Sequence, residues 1–371
     1  MPKHPSLNLL LALACALLPL GCGGSGPGGA GSPTPALFSG WYDWHSLWLK
    51  SEPSPLAIAL FGRVHSDGNG TMDDGTLQFN RDGTLGGGGL TGSVGPYAYT
   101  IGAGRRTTLL FDEEVWQGGC SATGDLLSLC HLEPGGLPAI AVLGRRVAGV
   151  AGADLVGEWH AAAFLATSAD ERAWWGGTVN LLGTGAVLAS VGLNTNGAVT
   201  APAPPAAYGT WTSTAAGVFT WDTPAGTLVG TLVAEGEAIL LSGATTSHPL
   251  EMMAVLIRKG SGLGNGTLRG TYHAVGLLAD TSPRNAFGAV TMTADADGTG
   301  TWSFDAQSGN LDGVITTSLP GPSTGYAVAP DGRFADGAGD LLGGIAPSGN
   351  IAVLGGTTTG GSSPRFLVLH R

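Results

Sequence analysis

The chain has 371 residues, a formal net charge of −11 and only three lysines, at positions 3, 50 and 259. A nucleic-acid partner needs a basic stripe to neutralise phosphates; the sequence has none, which excludes that class of partner. Glycine supplies 65 residues and punctuates short apolar runs, with no convincing amphipathic helical window, so the composition predicts many short strands joined by tight turns.

The first element is an address. A basic start at Met1-Pro2-Lys3-His4 precedes an apolar stretch over 7–20, too short to span a bilayer comfortably and shaped like a secretory signal. It ends in Leu18-Pro19-Leu20-Gly21-Cys22, which resembles the lipobox of bacterial lipoproteins, with Pro19 where that family usually has leucine. The resemblance implies cleavage after Gly21, diacylation of the Cys22 thiol and acylation of the new amino terminus. An ordinary signal peptide with an incidental cysteine is the alternative. Residues 23–35 (GGSGPGGAGSPTP) have the composition of a flexible tether, as a domain held off a membrane by acyl chains requires. Gly23 after the cysteine is not the aspartate that resembles an inner-membrane retention signal, so an outer-membrane location in the cell envelope is expected, on either face.

The body repeats itself. Units open at Phe38-Ser-Gly40-Trp41-Tyr42, Leu155-Val-Gly157-Glu158-Trp159-His160 and Leu268-Arg-Gly270-Thr271-Tyr272-His273, with marker glycines 117 and 113 residues apart. They close at Ala141-Val-Leu-Gly-Arg145-Arg146, Ala254-Val-Leu-Ile-Arg258-Lys259 and Leu367-Val-Leu-His370-Arg371. Turn pairs recur inside each unit, at Gly68-Asn-Gly70, Gly183-Thr-Gly185 and Gly298-Thr-Gly300. The expected organisation is a signal peptide at 1–21, a lipidated tether at 22–36 and three all-β repeats at 37–146, 153–259 and 266–371. Each repeat reads as about eight short strands in antiparallel succession, forming a small barrel or sandwich. The opening Gly-x-Trp and closing arginine resemble the lipocalin-like (calycin) domain, a resemblance that implies an arginine packed across the tryptophan at the closed end of a barrel. Gly157, Trp159 and Arg258 carry it in the second unit, Tyr272 in the third and Tyr42 in the first. Splitting each unit into two blades, to make a six-bladed propeller, is the alternative. The Gly/Ala/Ser-rich joints at 147–154 and 260–267 look like spacers between separate beads.

Chemistry is sparse. Catalytic signatures such as G-x-S-x-G, H-E-x-x-H and the phosphate-binding loop are absent, so no catalytic residue, cofactor or metal is assigned. Asp67-Gly-Asn69-Gly-Thr71 and Asp295-Ala-Asp297-Gly298-Thr299-Gly300 partly resemble calcium loops but fall at repeat turns, where Asp and Gly serve geometry. His160 and His273 share one repeat position, where Asp43 stands in the first unit. Repeats around a common axis would bring these together on a metal; structural histidines are the plainer alternative. The acidic run Asp112-Glu113-Glu114 suits acid–base work or simply a solvated loop. Tyr42, Trp44 and Trp48 share one face of the first strand, as candidate ligand-stacking residues or as core. Cys120 and Cys130 flank a hairpin turn; centring it near Asp125 opposes them directly and predicts a disulfide contributing about 2–3 kcal/mol. The expected function is non-catalytic binding of a small apolar ligand, a glycan or a partner protein by a membrane-anchored chain. An enzyme with an unrecognised acid–base or metal site is the alternative.

Overall fold

The computed structural model describes residues 37–371 apart from 51–55, 82–83, 86–96, 112–113, 151, 167–171, 196–197, 225, 244–250, 280–286, 312, 320–322, 338–340 and 357–364. The first repeat contains β1 (Ser39–Lys50), β2 (Leu56–Asp67), β3 (Thr71–Arg81), β4 (Thr84–Leu85), β5 (Tyr97–Ile101), β6 (Arg106–Phe111), β7 (Glu114–Cys120), β8 (Leu126–His131) and β9 (Ala139–Gly144). The second contains β10 (Gly157–Ala166), β11 (Arg172–Leu181), β12 (Ala186–Thr195), β13 (Ala198–Thr200), β14 (Ala206–Ser213), β15 (Val218–Thr223), β16 (Gly226–Val233), β17 (Ala238–Gly243) and β18 (Glu251–Arg258). The third contains β19 (Arg269–Ala279), β20 (Phe287–Asp297), β21 (Thr301–Leu311), β22 (Val314–Leu319), β23 (Ser323–Val328), β24 (Arg333–Asp336), β25 (Leu341–Ile345), β26 (Ile351–Gly356) and β27 (Arg365–His370).

Each repeat is one closed antiparallel barrel, which settles barrel against propeller. In the first, eight strands pair around the ring β1-β2-β3-β5-β6-β7-β8-β9, and β4 lies outside it as an extension of β3. The other two sheets repeat that order strand for strand. Closure removes the exposed edges that an open meander would carry. The turn aspartates do what turn geometry asks. Asp67 Oδ1 accepts the Asn69 and Thr71 amides at 2.7 and 2.9 Å, and Asp297 Oδ1 accepts those of Thr299, Gly300 and Thr301 at 2.7, 3.0 and 3.0 Å. These bonds hold both carboxyls below the ordinary range, in each case chiefly through the turn partners.

Burial shows what the joints do. Far-side strands alternate, as β3 does, but β8, β9, β17 and β26 are buried at every position. One face of these strands fills its own barrel. The other face meets the neighbouring barrels in a shared core built from all three repeats, including Leu47, Leu49, Ile140 and Val142, then Phe164, Leu240 and Val255, then Val275, Leu277, Val353 and Val368. The first two strands of each barrel pack against the last three of the next, and the third barrel closes on the first. Such head-to-tail contacts generate a ring when the rotation closes. The joints are therefore pinned parts of the ring and not free spacers. The Val147 and Gly149 amides donate to Leu232 and Ala215 of the second barrel at 2.9 and 2.8 Å, and Gly260 and Leu263 to Asp331 and Pro330 of the third at 3.1 and 3.0 Å. Burial of a common apolar face outweighs the flexibility that the joint composition suggests.

Candidate functional site

The closed ends of the barrels are built as the opening and closing motifs suggest. The Arg145, Arg258 and Arg371 guanidinium groups lie 5.3, 5.2 and 5.9 Å from the ring centroids of Tyr42, Trp159 and Tyr272. Each arginine also donates to a backbone carbonyl at its own barrel's start, respectively Ser39, Asp154 and Arg269. These are plugs that seal an end. The ring of Tyr42 donates its hydroxyl to Gly124 at 2.6 Å, and burial pushes that phenol up to about 12 against the pull of Arg145.

The aromatic row of β1 points into the first barrel. Tyr42 and Trp44 are fully enclosed there, Trp44 lying 6.0 Å edge-on from Trp116, so core packing occupies them. Trp48 is half-buried at the opposite end from the arginine plug, against Trp116 and His131.

Cys120 and Cys130 are free thiols, which corrects the expected disulfide. The turn centres between Thr123 and Gly124, not at Asp125, so Cys120 pairs with Leu127 and Cys130 with Gln117. Ser121 sets that centre: its side chain accepts the Asp125 and Leu126 amides at 3.1 and 3.0 Å, and Gly124 takes a positive φ of 69°. A register shift of three residues sends the two sulfurs to opposite faces of the sheet. Cys120 enters the barrel interior and Cys130 the shared core, where burial pushes the first thiol up to about 12 and the second higher still. Cys22 lies outside the described residues.

The repeated histidines sit around one axis but pack into the next barrel and not onto each other. His273 lies over Gly119, where a Cβ would collide with the imidazole, and His160 lies likewise over Gly344. In the first repeat the shorter Asp43 occupies the position, and the facing residue is Thr231, which donates its hydroxyl to that carboxylate. His45, one turn of the pleat away, sits 2.9 Å from Ser242 Oγ and 3.2 Å from Thr231 Oγ1. Burial holds His45 and His273 down to about 4 and lowers His160 and His370 as well. A repeated residue the sequence reading missed is a buried asparagine, at Asn80, Asn194 and Asn310. Asn310 Nδ2 reaches the His131 and Gly136 carbonyls of the first barrel, both at 3.2 Å, and Asn80 Nδ2 the Gly243 carbonyl of the second at 3.5 Å. Its signal was an asparagine recurring at one place near the end of the third strand of each repeat.

Each seam carries a groove, and the three differ. Between barrels one and two a cavity of 200 Å³ is lined by Asp43, His45, Arg63, Gln78 and Arg146. Between barrels three and one a cavity of 160 Å³ is lined by Arg106, Gln117, His273 and five threonine or serine side chains. Between barrels two and three the cavity is 460 Å³ and apolar, with Ala161, Trp174, Val199, Ala201, Pro202 and Leu342 on its walls. Arg333 and His160 stand at this groove, His160 donating Nε2–H to the Asp331 carbonyl at 3.0 Å while burial lowers its pKa. Trp174 crosses the seam onto Gly355 of the third barrel, and its indole N–H has no partner among the described residues. A further cavity, of 360 Å³, opens at the plugged end where the Ser121, Glu235 and Ser348 turns of the three barrels meet.

The chain matches no family model and no curated protein. Among solved structures it is similar to a protein of unknown function from the DUF3598 family of Nostoc punctiforme, at 10% identity over 58% of this chain and 96% of that one, with a TM-score of 0.20. It is also similar to transferrin binding protein B from Haemophilus parasuis, at 9% identity over 90% of this chain and 76% of that one, with a TM-score of 0.22. The same protein from serogroup B Neisseria meningitidis gives 11% identity over 89% and 76%, with a TM-score of 0.22. Similarity at this level leaves function to be argued from the residues of this chain.

Proposed function

We propose that the protein is a lipid-anchored component of the bacterial envelope, on the outer membrane, that binds a small apolar or amphiphilic molecule and does not catalyse a reaction. The groove between barrels two and three carries the binding reading. Its 460 Å³ falls inside the roughly 300–1,000 Å³ typical of small-molecule sites, which are mostly apolar with a few placed polar groups. Here the placed polar group is the Arg333 guanidinium, which suits a ligand with an apolar body and an anionic head. The matching grooves at the other seams are less than half that volume and carry more charged and hydroxyl side chains on their walls, so among the described residues the roomy apolar groove is at this seam. The anchor rests on the signal sequence and Cys22: several acyl chains hold a protein to a membrane stably where one does not.

The ligand reading is tested by titrating the full chain with dansyl-undecanoic acid. Saturable binding is expected, lost in Ala201→Trp, which fills the groove, weakened about tenfold in Arg333→Gln, which removes the cationic partner of the head group, and unchanged in Gln78→Trp at the seam of barrels one and two. Binding that survives Ala201→Trp, or is absent from the unaltered chain, would place the ligand elsewhere or remove it. The anchor is tested by Cys22→Ala, which should leave the body folded but release it from membranes; a variant that still pellets with them contradicts the lipid reading.

A further inference from the structure

The open end of the first barrel holds an arrangement that neither its packing nor the binding groove explains. Glu114 opens β7, His131 ends β8, and Glu133 follows two residues later. The β7–β8 ladder pairs Trp116 with His131, and the Leu132 amide continues it by donating to the Val115 carbonyl at 2.8 Å. The next rung therefore sets Glu114 directly opposite Glu133, on the same face as Trp116 and His131 because side chains alternate along a strand. Like charges directly opposed across strands repel, and a cation placed between them would relieve that repulsion.

The histidine is aimed at that space. His131 Nδ1–H donates to the Leu137 carbonyl at 2.7 Å, which leaves Nε2 to face Glu133 Oε2 at 3.5 Å and Glu114 Oε2 at 3.9 Å. The imidazole is 1% exposed, held between the rings of Trp48 and Trp116 at 5.3 and 5.0 Å, and its Nε2 has no hydrogen-bond partner among the described residues. A hydrogen bond tying Nδ1 to a backbone carbonyl while Nε2 stays available is the usual way a protein orients a metal-ligating histidine. Spacing separates the two positive occupants. A proton shared with a carboxylate draws the heavy atoms to about 2.7–2.9 Å. Two ligands of one tetrahedral ion bonded at about 2.0–2.1 Å stand roughly 3.3 Å apart. Here one ligand atom from each of the three side chains lies within 4.8 Å of the others, and the His131 separations fall near the second figure.

We infer that Glu114, His131 and Glu133 form a binding site for a divalent transition-metal ion of the zinc type at the mouth of the first barrel. One nitrogen and two carboxylate oxygens suit such an ion, with the remaining position left to water because both glutamates are about a third exposed. The site belongs to one barrel of three. Gly226 and Gly243 of the second barrel stand at the places of Glu114 and His131, and Gly356 of the third at that of His131. It is also separate from the ligand groove, so each stands or falls alone.

The test is to strip the full chain with EDTA, then titrate it with Zn2+ by calorimetry and with Co2+ by visible absorption. One ion per chain is expected, with the intense d–d bands of a low-coordinate Co2+ site and a rise in Tm on loading. Glu133→Gln, a substitution at a partly exposed position that should fold, is expected to weaken binding at least tenfold; His131→Gln should abolish it. Absence of saturable binding in the unaltered chain, or binding unchanged in Glu133→Gln, overturns the inference. So does a nitrogen NMR spectrum showing both His131 ring nitrogens protonated at pH 7 in the presence of excess Zn2+, because a proton and not a metal would then fill the gap.

Discussion

The seam joining barrels one and two and the seam closing barrel three onto barrel one solve the same packing problem with different side chains. At the first, Asp43 meets Thr231, and Arg146 completes the contact with a two-pronged bond to the Asp43 carboxylate at 2.7 and 2.8 Å. At the second, His273 occupies the equivalent position and lies flat on Gly119, and His370 reaches Ser128 Oγ at 2.8 Å. A short acid is matched by a residue with a side chain, a wide ring by one without. The ring of barrels is therefore specified seam by seam, through paired residues on different repeats, and a change on one side is tolerated only if the other side answers it.

Acid should strain both seams, and this is the largest effect expected. Unfolded imidazoles bind a proton near pH 6.5, whereas burial delays His45 and His273 to about 4. Between those values the unfolded chain binds more protons. Stability is then complete above about pH 6.5 and falls as the pH drops toward 4, by roughly 1.4 kcal/mol per unit for each fully buried histidine. Denaturation midpoints measured from pH 7.5 to 4 should show the fall, and His45→Gln should flatten it. A profile unchanged by that substitution would mean that the seam histidines do not carry the acid sensitivity.

The pairing rule itself is open to a swap. Gly119→Thr puts a side chain under the His273 ring and should destabilise the protein by about 3 kcal/mol, the upper range for overpacking. Adding His273→Asp rebuilds the Asp–Thr pair of the other seam and should recover most of that loss. A double variant no more stable than Gly119→Thr alone would show that the seams are not interchangeable. The smallest effect concerns the thiols. Cys120 and Cys130 face different cores, so reductant should leave Tm unchanged, and alkylation of the denatured, unreduced chain should label both; a disulfide found there would restore the opposed register.

What the sequence made legible was local. Marker glycines, turn pairs and the arginine that closes each unit fall where the barrels begin, turn and end, because each depends on a few neighbouring residues. The misplaced hairpin was a matter of three residues in register, decided by backbone amides donating to the Ser121 hydroxyl, which composition does not announce. The ring was harder, since its contacts join distant parts of the chain: Asn310 and His131 are 179 residues apart. One clue was present and went unused. The last strand of the first barrel, Ala139–Gly144, and the last but one of the third, Ile351–Gly356, are apolar at nearly every position, as strands buried on both faces must be, whereas a solitary barrel would show alternation. For the candidate sites, the aromatic row was legible as one face with core packing among its two readings, and Glu114 was visible only as part of an acidic run until the register set Glu133 opposite it.

The central claim is that three barrels share one core and fold as a single ring. Differential scanning calorimetry of the full chain at pH 7.5 tests it most directly. A shared core predicts one transition whose calorimetric and van't Hoff enthalpies agree. Three resolved transitions, or a calorimetric enthalpy about three times the van't Hoff value, would contradict it and return the repeats to independent beads.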